Sequence, residues 1–176
     1  MVTTAVEFYQ GSEGSLFRII RTPKKVCAHM FFIAPLFEQA NQSRHHITRS
    51  AINAYNQGIE SIIFDHFGTG DSSGELIEAN LALWQQDLLK QLIETKEQSS
   101  NQIYLYLPLS AVLLLSDDIL SLADGVILLQ PEFNGKRFVQ QFKRLALVAE
   151  LTKVEKPELI DTNKNLYINI AGYQLH

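Results

Sequence analysis

The chain has 176 residues, of which 46% are hydrophobic and 19% charged, a composition that excludes an intrinsically disordered protein. Its net charge of -4 argues against a nucleic-acid partner, because neutralising phosphates requires a basic surface. The N-terminal segment has no basic stretch followed by an apolar core, and no apolar run is long enough to span a bilayer. We therefore expect one domain over residues 1–176, located in the cytoplasm, with no membrane insertion and no nucleic-acid partner.

Strands open the chain. The β-rich runs TTAVEFYQ and SLFRIIRT are separated by GSEG, a spacing that predicts an antiparallel hairpin. The next run, VCAHMFFIA at 26–34, is apolar nearly throughout, as expected for a strand covered on both faces. The single cysteine, Cys27, falls in this run, and we expect it to be a buried free thiol.

Strands and helices then alternate. Residues 43–57 and 76–97 carry apolar side chains at helical spacing, and SIIFDHF at 61–67 between them is typical of a buried strand. Further along come the strand QIYLYLPL, the helical AVLLLSDDILSLA, the strand DGVILLQP, the helix KRFVQQFKRLALVAELTK and a polar, finally β-like tail. This order predicts an α/β fold with three α/β/α layers. Its doubly wound, mostly parallel sheet would carry the antiparallel hairpin at one edge.

A glycine-rich loop, FDHFGTGDSSG at 64–74, follows the strand at 61–67. It does not fit the dinucleotide-binding turn G-x-G-x-x-G, because counting from Gly68 and Gly70 puts Ser73 at the third glycine place. A Walker-type loop needs a lysine, and none lies between 26 and 89. Phosphate binding is therefore disfavoured, and no nucleotide cofactor is expected.

The same loop resembles the D-x-x-G-x-G-x-S segment that follows the fourth strand of α/β-hydrolases. The resemblance implies a mostly structural role for its members, in which glycines permit a sharp turn and small side chains pack beside the active site. The residues concerned are Asp65, Gly68, Gly70 and Ser72. His66 is the one member of the loop that can exchange a proton near neutral pH.

A narrower resemblance comes from other segments. APLFEQANQSR at 34–44 is similar to the P-[PL]-F-x-E-x-x-N-x-S-R segment of the second type of exosortase A system-associated hydrolases. SLFRIIRTP, FDHFGTGDSSGE, LLQPEFNGKRFVQQFKRL and INIAGYQL resemble the same group in the same order. This implies an α/β-hydrolase-like protein encoded with exopolysaccharide and PEP-CTERM protein-sorting genes. It also implies that strand 61–67 lies between the hairpin and strand 26–34, and that the chain stops before the last strands of the fold.

A hydrolase of this fold holds its nucleophile on a strained G-x-S-x-G turn. In YLPLSA, Tyr106 and Ser110 then take the glycine places and Pro108 the nucleophile place, although proline has no nucleophilic group. A two-residue shift would make Ser110 the nucleophile, with His66 as a candidate base. The alternative is that Ser110 caps the helix that follows it.

The sequence offers only a few other candidates for catalytic or metal-binding groups. The resemblance places an oxyanion hole in the loop after strand 26–34, formed by the backbone N–H groups of Leu36 and Phe37. The acids available by type are Asp117, Asp118 and Asp124. No metal site is expected, since His45 and His46 occupy adjacent helical positions that point apart.

Two functions stay open, and with them whether the protein is an enzyme. The chain is either a catalytically degenerate pseudoenzyme that acts as a binding or accessory protein, or an active esterase or thioesterase with a non-standard nucleophile. Without later strands, the strand at 125–130 would be an exposed sheet edge. We therefore expect a homo-oligomer or a protein partner at that edge, and as ligand a small ester-like molecule.

Overall fold

A computed structural model describes residues 3–152, 168–170 and 173–175. The chain divides into two compact units, Met1–Phe133 and Asn134–His176, so a single domain over 1–176 stays a prediction. None of the helices in the described part of the chain is long and apolar enough to cross a membrane.

The first unit alternates strands and helices along the chain. Its elements are β1 Thr3–Gln10, β2 Ser15–Thr22, β3 Ala28–Phe32, α1 Glu38–Asn56, β4 Ile59–Phe64, a 3-10 helix Leu76–Glu78, α2 Leu81–Gln98, β5 Gln102–Pro108, a second 3-10 helix Leu109–Leu114, α3 Asp117–Leu122 and β6 Gly125–Leu129. The second unit contains α4 Gly135–Thr152, β7 Ile168–Ile170 and β8 Tyr173–Leu175, the two strands pairing antiparallel with each other.

The first unit is built on one six-stranded sheet with the order β1-β2-β4-β3-β5-β6. β1 and β2 form the predicted antiparallel hairpin, closed by a hydrogen bond from Gly11 N–H to the Gly14 carbonyl at 2.8 Å. β2 pairs antiparallel with β4, and β4, β3, β5 and β6 run parallel. The predicted position of the fourth strand between the hairpin and β3 is confirmed.

Helices cover both faces of this sheet, as the three-layer prediction required. On one face α1 packs on the central strands, and the shared core consists of Met30, Phe32, Ile47, Ala51 and Tyr106. The alternate residues of the same strands point to the other face, because successive side chains of a strand alternate. That face lies under α2, whose Trp84 stacks on His66 and whose Gln91 accepts a hydrogen bond from Arg18.

Two sequence-based expectations are wrong. Cys27 is exposed, not buried, because β3 starts one residue later; its thiol donates to the Gly58 carbonyl at 3.0 Å. The helix expected over 111–123 is broken into a 3-10 helix and α3. The break lies at Leu115, which is extended, and Ser116 then caps α3 by accepting the Ile119 N–H.

Candidate functional site

A crevice is expected where β3 and β5 lie side by side. The chain leaves β3 through α1 towards β4 on one side, and leaves β5 towards β6 on the other. In open α/β sheets, ligands bind outside the carboxyl ends of the strands at such a switch point. The segments that meet there are residues 33–39, after β3, and residues 109–111, after β5.

Leu109 begins the turn after β5 in a left-handed conformation, with φ at 52°. A bulky residue rarely adopts positive φ, and holding one there costs roughly 1–3 kcal/mol, so such residues concentrate at binding and catalytic sites. Pro108 is extended, with φ -83° and ψ 147°, since its ring forbids positive φ. The place that the sequence assigned to Pro108 is therefore taken by Leu109, and Leu107 and Ala111 stand at the flanking glycine places.

Ser110 is fully buried, and its hydroxyl oxygen and its backbone N–H each have a partner. Its Oγ accepts the Leu36 N–H at 2.9 Å, and its own N–H donates to Gln39 Oε1 at 3.2 Å. The residue lies inside the 3-10 helix Leu109–Leu114, whose N-cap is Pro108, so the expected capping role of Ser110 is wrong. Its hydroxyl instead ties the turn after β5 to the loop after β3.

Leu36 and Phe37 carry the backbone groups predicted for an oxyanion hole. The Leu36 N–H is already donated to Ser110, so in this conformation it is not open to a ligand. Phe37 precedes α1 with φ 56° and ψ -133°, a second bulky residue at positive φ. Its ring lies 6.4 Å from that of Trp84, between centroids. The strained residues Phe37 and Leu109 thus follow two neighbouring strands of the sheet.

His66 is buried on the α2 side of the sheet, stacked on Trp84 with 5.3 Å between ring centroids. Its Nε2 lies 3.0 Å from the Ala34 carbonyl oxygen and therefore donates a proton to it, while Nδ1 has no partner among the described residues. Burial lowers the pKa of His66, outweighing the Ala34 hydrogen bond, so the ring is neutral at pH 7. His66 and Ser110 are not hydrogen-bonded to each other; each binds the main chain of the 34–36 segment.

The glycine-rich loop is held by its own polar side chains. Asp65 Oδ2 accepts the Asp71 N–H at 3.1 Å, and Ser72 Oγ donates to the Asp65 carbonyl while accepting the Phe17 N–H. Gly68 and Gly70 have φ of +74° and +55°, and a Cβ on Gly70 would collide with the Asp65 carboxylate. Asp65 and Ser72 fasten the loop to β2 through hydrogen bonds with the main chain of Phe17, which is a structural arrangement.

The remaining candidate groups lie in separate surroundings. Asp117 and Asp118 are exposed in the first turn of α3, and the Asp124 carboxylate accepts the Ile103 N–H at 2.8 Å. His45 is exposed, whereas His46 Nε2 lies 2.6 Å from the Tyr106 hydroxyl. In the described ranges, no three His, Cys, Asp or Glu residues come together in a way that could hold a metal ion.

Two residues of this site were not predicted from the sequence. The strained position of the turn was predicted one residue before Leu109. The residue at which β5 ends is the signal that would have identified Leu109 instead. Gln39 was not considered, because its contact with Ser110 joins positions 71 residues apart and leaves no local pattern.

Several solved structures resemble this chain. No family model and no curated protein matches it. Among solved structures, an α/β serine hydrolase homologue from Coxiella burnetii has a TM-score of 0.56 at 18% identity, over 80% of this chain and 83% of that one. Est1E from Butyrivibrio proteoclasticus, solved with ferulic acid bound, has a TM-score of 0.67 at 16% identity, over 96% of this chain and 66% of that one. An Agrobacterium tumefaciens protein described as a putative α/β hydrolase has a TM-score of 0.58 at 14% identity, over 73% and 61%.

Proposed function

We propose that this chain, which has the α/β-hydrolase fold, is a binding or accessory protein without serine-hydrolase activity. The observation that carries the proposal is Leu109, which stands at positive φ on the turn after β5. In hydrolases of this fold the nucleophile occupies that strained turn, with its side chain exposed above the sheet. A leucine side chain has no atom that can attack a carbonyl carbon.

The neighbouring serine offers poor support for catalysis. A serine nucleophile needs an adjacent base to take its proton, within about 2.6–3.2 Å. The Ser110 hydroxyl is buried and bonded to the Leu36 N–H, and the imidazole of His66 donates to the Ala34 carbonyl instead. An active esterase or thioesterase built on Ser110 and His66 is therefore the alternative that the test below decides.

We place the ligand at the carboxyl ends of β3 and β5, where the strand order predicts a binding crevice, and we propose a small ester- or acid-like molecule. Phe37 and Leu109 are half-buried there and offer apolar surface beside backbone N–H groups. Est1E, solved with ferulic acid bound, suggests aromatic acids as first probes. We expect no cofactor, because the proposed binding needs none.

The proposal includes a macromolecular partner, either a second copy or another protein, at the β6 end of the sheet. β6 is the last strand of the six, and Ile127, Leu128 and Leu129 on it are 45%, 39% and 37% exposed. Successive residues of a strand point to opposite faces, so both faces of β6 present apolar surface. Light scattering over a concentration series measures whether the chain self-associates.

The association with an exosortase and exopolysaccharide system is also a proposal. It rests on the resemblance of the segments given above, among them 34–44, which forms the loop after β3 and the first turns of α1, and 64–75, which forms the loop after β4. A cytoplasmic accessory role predicts that deleting the gene lowers exopolysaccharide secretion, and that the protein fractionates with the cytoplasm. Unchanged secretion and sorting in the deletion strain would contradict the association without touching the enzymatic question.

The decisive test compares ester hydrolysis by the wild type, Ser110→Ala and His66→Ala, with fluorophosphonate labelling alongside. Ser61→Ala is the matched control, because Ser61 is an equally buried serine on β4. We expect equal background rates and no labelling. Residual turnover of roughly 10³–10⁴ over water can come from binding and backbone donors alone, so weak activity does not decide the question. A rate that collapses only in Ser110→Ala, with the label on Ser110, would overturn the proposal.

A further inference from the structure

β1 forms the outer edge of the six-stranded sheet, at the end opposite to β6. In the described part of the chain it pairs only with β2. An unpaired edge is a template for another strand, and proteins usually protect it with proline, lysine or a bulge. β1 has none of these, because its eight residues, TTAVEFYQ, pair with β2 without interruption. Its one charged residue, Glu7, is bound by Arg18, with 2.7 Å between Arg18 Nε and Glu7 Oε1.

The main-chain hydrogen bonds of β2 show which groups of β1 point outwards. The Phe17 N–H donates to Ser72 Oγ at 2.9 Å, and the Phe17 carbonyl accepts the Asp65 N–H at 2.9 Å, so both groups point away from β1. Opposite residues of an antiparallel pair exchange either both hydrogen bonds or none. Phe8, which lies opposite Phe17, therefore directs its own N–H and C=O out of the sheet.

The outward groups of β1 form a short, continuous row. Alternation along the strand gives Thr4, Val6 and Gln10 the same orientation as Phe8. The Gln10 carbonyl accepts the Lys90 ammonium at 2.7 Å, so the row that a new strand can meet consists of Thr4, Val6 and Phe8. The side chains of these three residues share one face of β1 and are exposed, Val6 by 62% and Phe8 by 65%.

We propose that β1 pairs antiparallel with β1 of a second copy of this chain, with Val6 of one copy opposite Val6 of the other. Thr4 of each copy then lies opposite Phe8 of the other, so that the whole outward row is paired and the two sheets become one. The arrangement is two-fold symmetric, as in most homodimers. It also gathers the exposed Val6 and Phe8 side chains of both copies on the face where Phe8 contacts the Phe17 ring, 5.8 Å between centroids.

The strand is complementary to itself in this register. Centring the pair on Glu7 would place the two Glu7 carboxylates opposite each other, and like charges in that position are destabilising. Centring it on Ala5 would leave Phe8 without a partner within β1. With Val6 at the centre, Glu7 of each copy lies opposite Ala5 of the other. A second copy therefore satisfies both the backbone row and the charge pattern of β1. This interface goes beyond the proposed function and does not depend on it.

The register is tested by cross-linking the full-length protein in a Cys27→Ser background, because the exposed Cys27 thiol would form cross-links of its own. In Val6→Cys the two thiols face each other, since opposite Cα atoms lie about 5.5 Å apart or less, and a disulfide spans about 4.4–6.8 Å. Phe8→Cys is the matched control, because its side chain is equally exposed but its two copies are four residues out of register, roughly 13 Å along the strand. We expect mild oxidation to convert Val6→Cys to a covalent dimer and to leave Phe8→Cys monomeric.

The solution state is tested by light scattering and sedimentation over a concentration series. Val6→Lys brings two ammonium groups face to face and should raise the dissociation constant of the dimer at least about a hundredfold. Leu128→Lys is the control, because Leu128 is an exposed apolar residue on β6, at the other end of the sheet. The wild type and Leu128→Lys should be dimeric. Equal melting temperatures of Val6→Lys and the wild type's dissociated form would show that the variant is folded.

Three results would overturn the β1 pairing. They are a wild type that stays monomeric throughout the series, equal cross-linking of Val6→Cys and Phe8→Cys, and a dimer that is lost in Leu128→Lys but kept in Val6→Lys. The last result would assign self-association to β6 instead. Fluorophosphonate labelling is unaffected by all of these outcomes, so the enzymatic question is decided separately.

Discussion

Ser110→Ala removes the oxygen that accepts the Leu36 N–H at 2.9 Å. Ser110 is 0% and Leu36 6% exposed, so water cannot replace the lost partner. A buried donor left without a partner costs about 1–3 kcal/mol, and deleting one oxygen atom creates little empty volume. For a chain of this length, 1 kcal/mol lowers the melting temperature by about 2–4 °C. We therefore expect Ser110→Ala to melt about 2–12 °C below the wild type.

Ser61→Ala is the comparison that isolates the hydrogen bond. Ser61 is also 0% exposed, but its Oγ has no partner among the described residues. Removing a buried hydroxyl that has no hydrogen-bond partner, and leaving a methyl group in its place, is neutral or stabilising. Equilibrium unfolding in urea, followed by circular dichroism, gives the free energy of unfolding for all three proteins. If Ser110→Ala is as stable as the wild type, the Ser110 hydroxyl is not held by Leu36, and the case against a nucleophilic Ser110 loses this one of its supports.

Two further predictions concern the loop after β4. Gly74→Ala should lower the free energy of unfolding by about 2–5 kcal/mol, because it combines positive-φ strain with a collision against the buried Phe67 ring. Gly58→Ala has the same strain with no atom nearer than 3.5 Å and should lose only about 1–2 kcal/mol in the same urea assay; equal losses would contradict the packing argument. For His66, burial lowers the folded pKa below 6.5, so below about pH 6.5 the unfolded chain binds a proton that the folded chain does not. The free energy of unfolding should therefore fall as the pH decreases below that value, by at most about 1.4 kcal/mol per pH unit, until the folded pKa is reached. The His66→Phe variant should show a shallower fall between pH 7 and 5.

The sheet could be read from the sequence because its strands are distinct apolar runs. Residues 26–34 contain β3, and residues 61–67 overlap the C-terminal part of β4, which spans Ile59–Phe64. Each run is bounded by glycine, proline or polar residues. The antiparallel hairpin followed from GSEG, which leaves two runs of equal length to pair. The strand order followed from the resemblance of the loops, and the six-stranded sheet confirms it.

The site was harder to predict because it depends on backbone angles and distant contacts. Pro108 was assigned to the turn, but a proline ring fixes φ near -65°, which moves the positive-φ position to Leu109. The role of Ser110 as an acceptor for Leu36 depends on a loop 74 residues earlier in the chain. Cys27 was misjudged for a related reason, since an apolar run does not show at which residue its strand begins.

The interleaved order of the sheet has a consequence during synthesis. β3 pairs with β4 on one side, Ala28 opposite Ile59, but its other side waits for β5, where Ala28 lies opposite Gln102. At 5–20 residues per second, a ribosome needs roughly 4–15 s to travel from Ala28 to Gln102. During that interval the edge of β3 that will pair with β5 has no partner. An unpaired strand edge is a template for wrong pairing with other chains. The arrangement that places Leu36 beside Ser110 in the finished protein thus leaves one edge of β3 without its partner until β5 has been made.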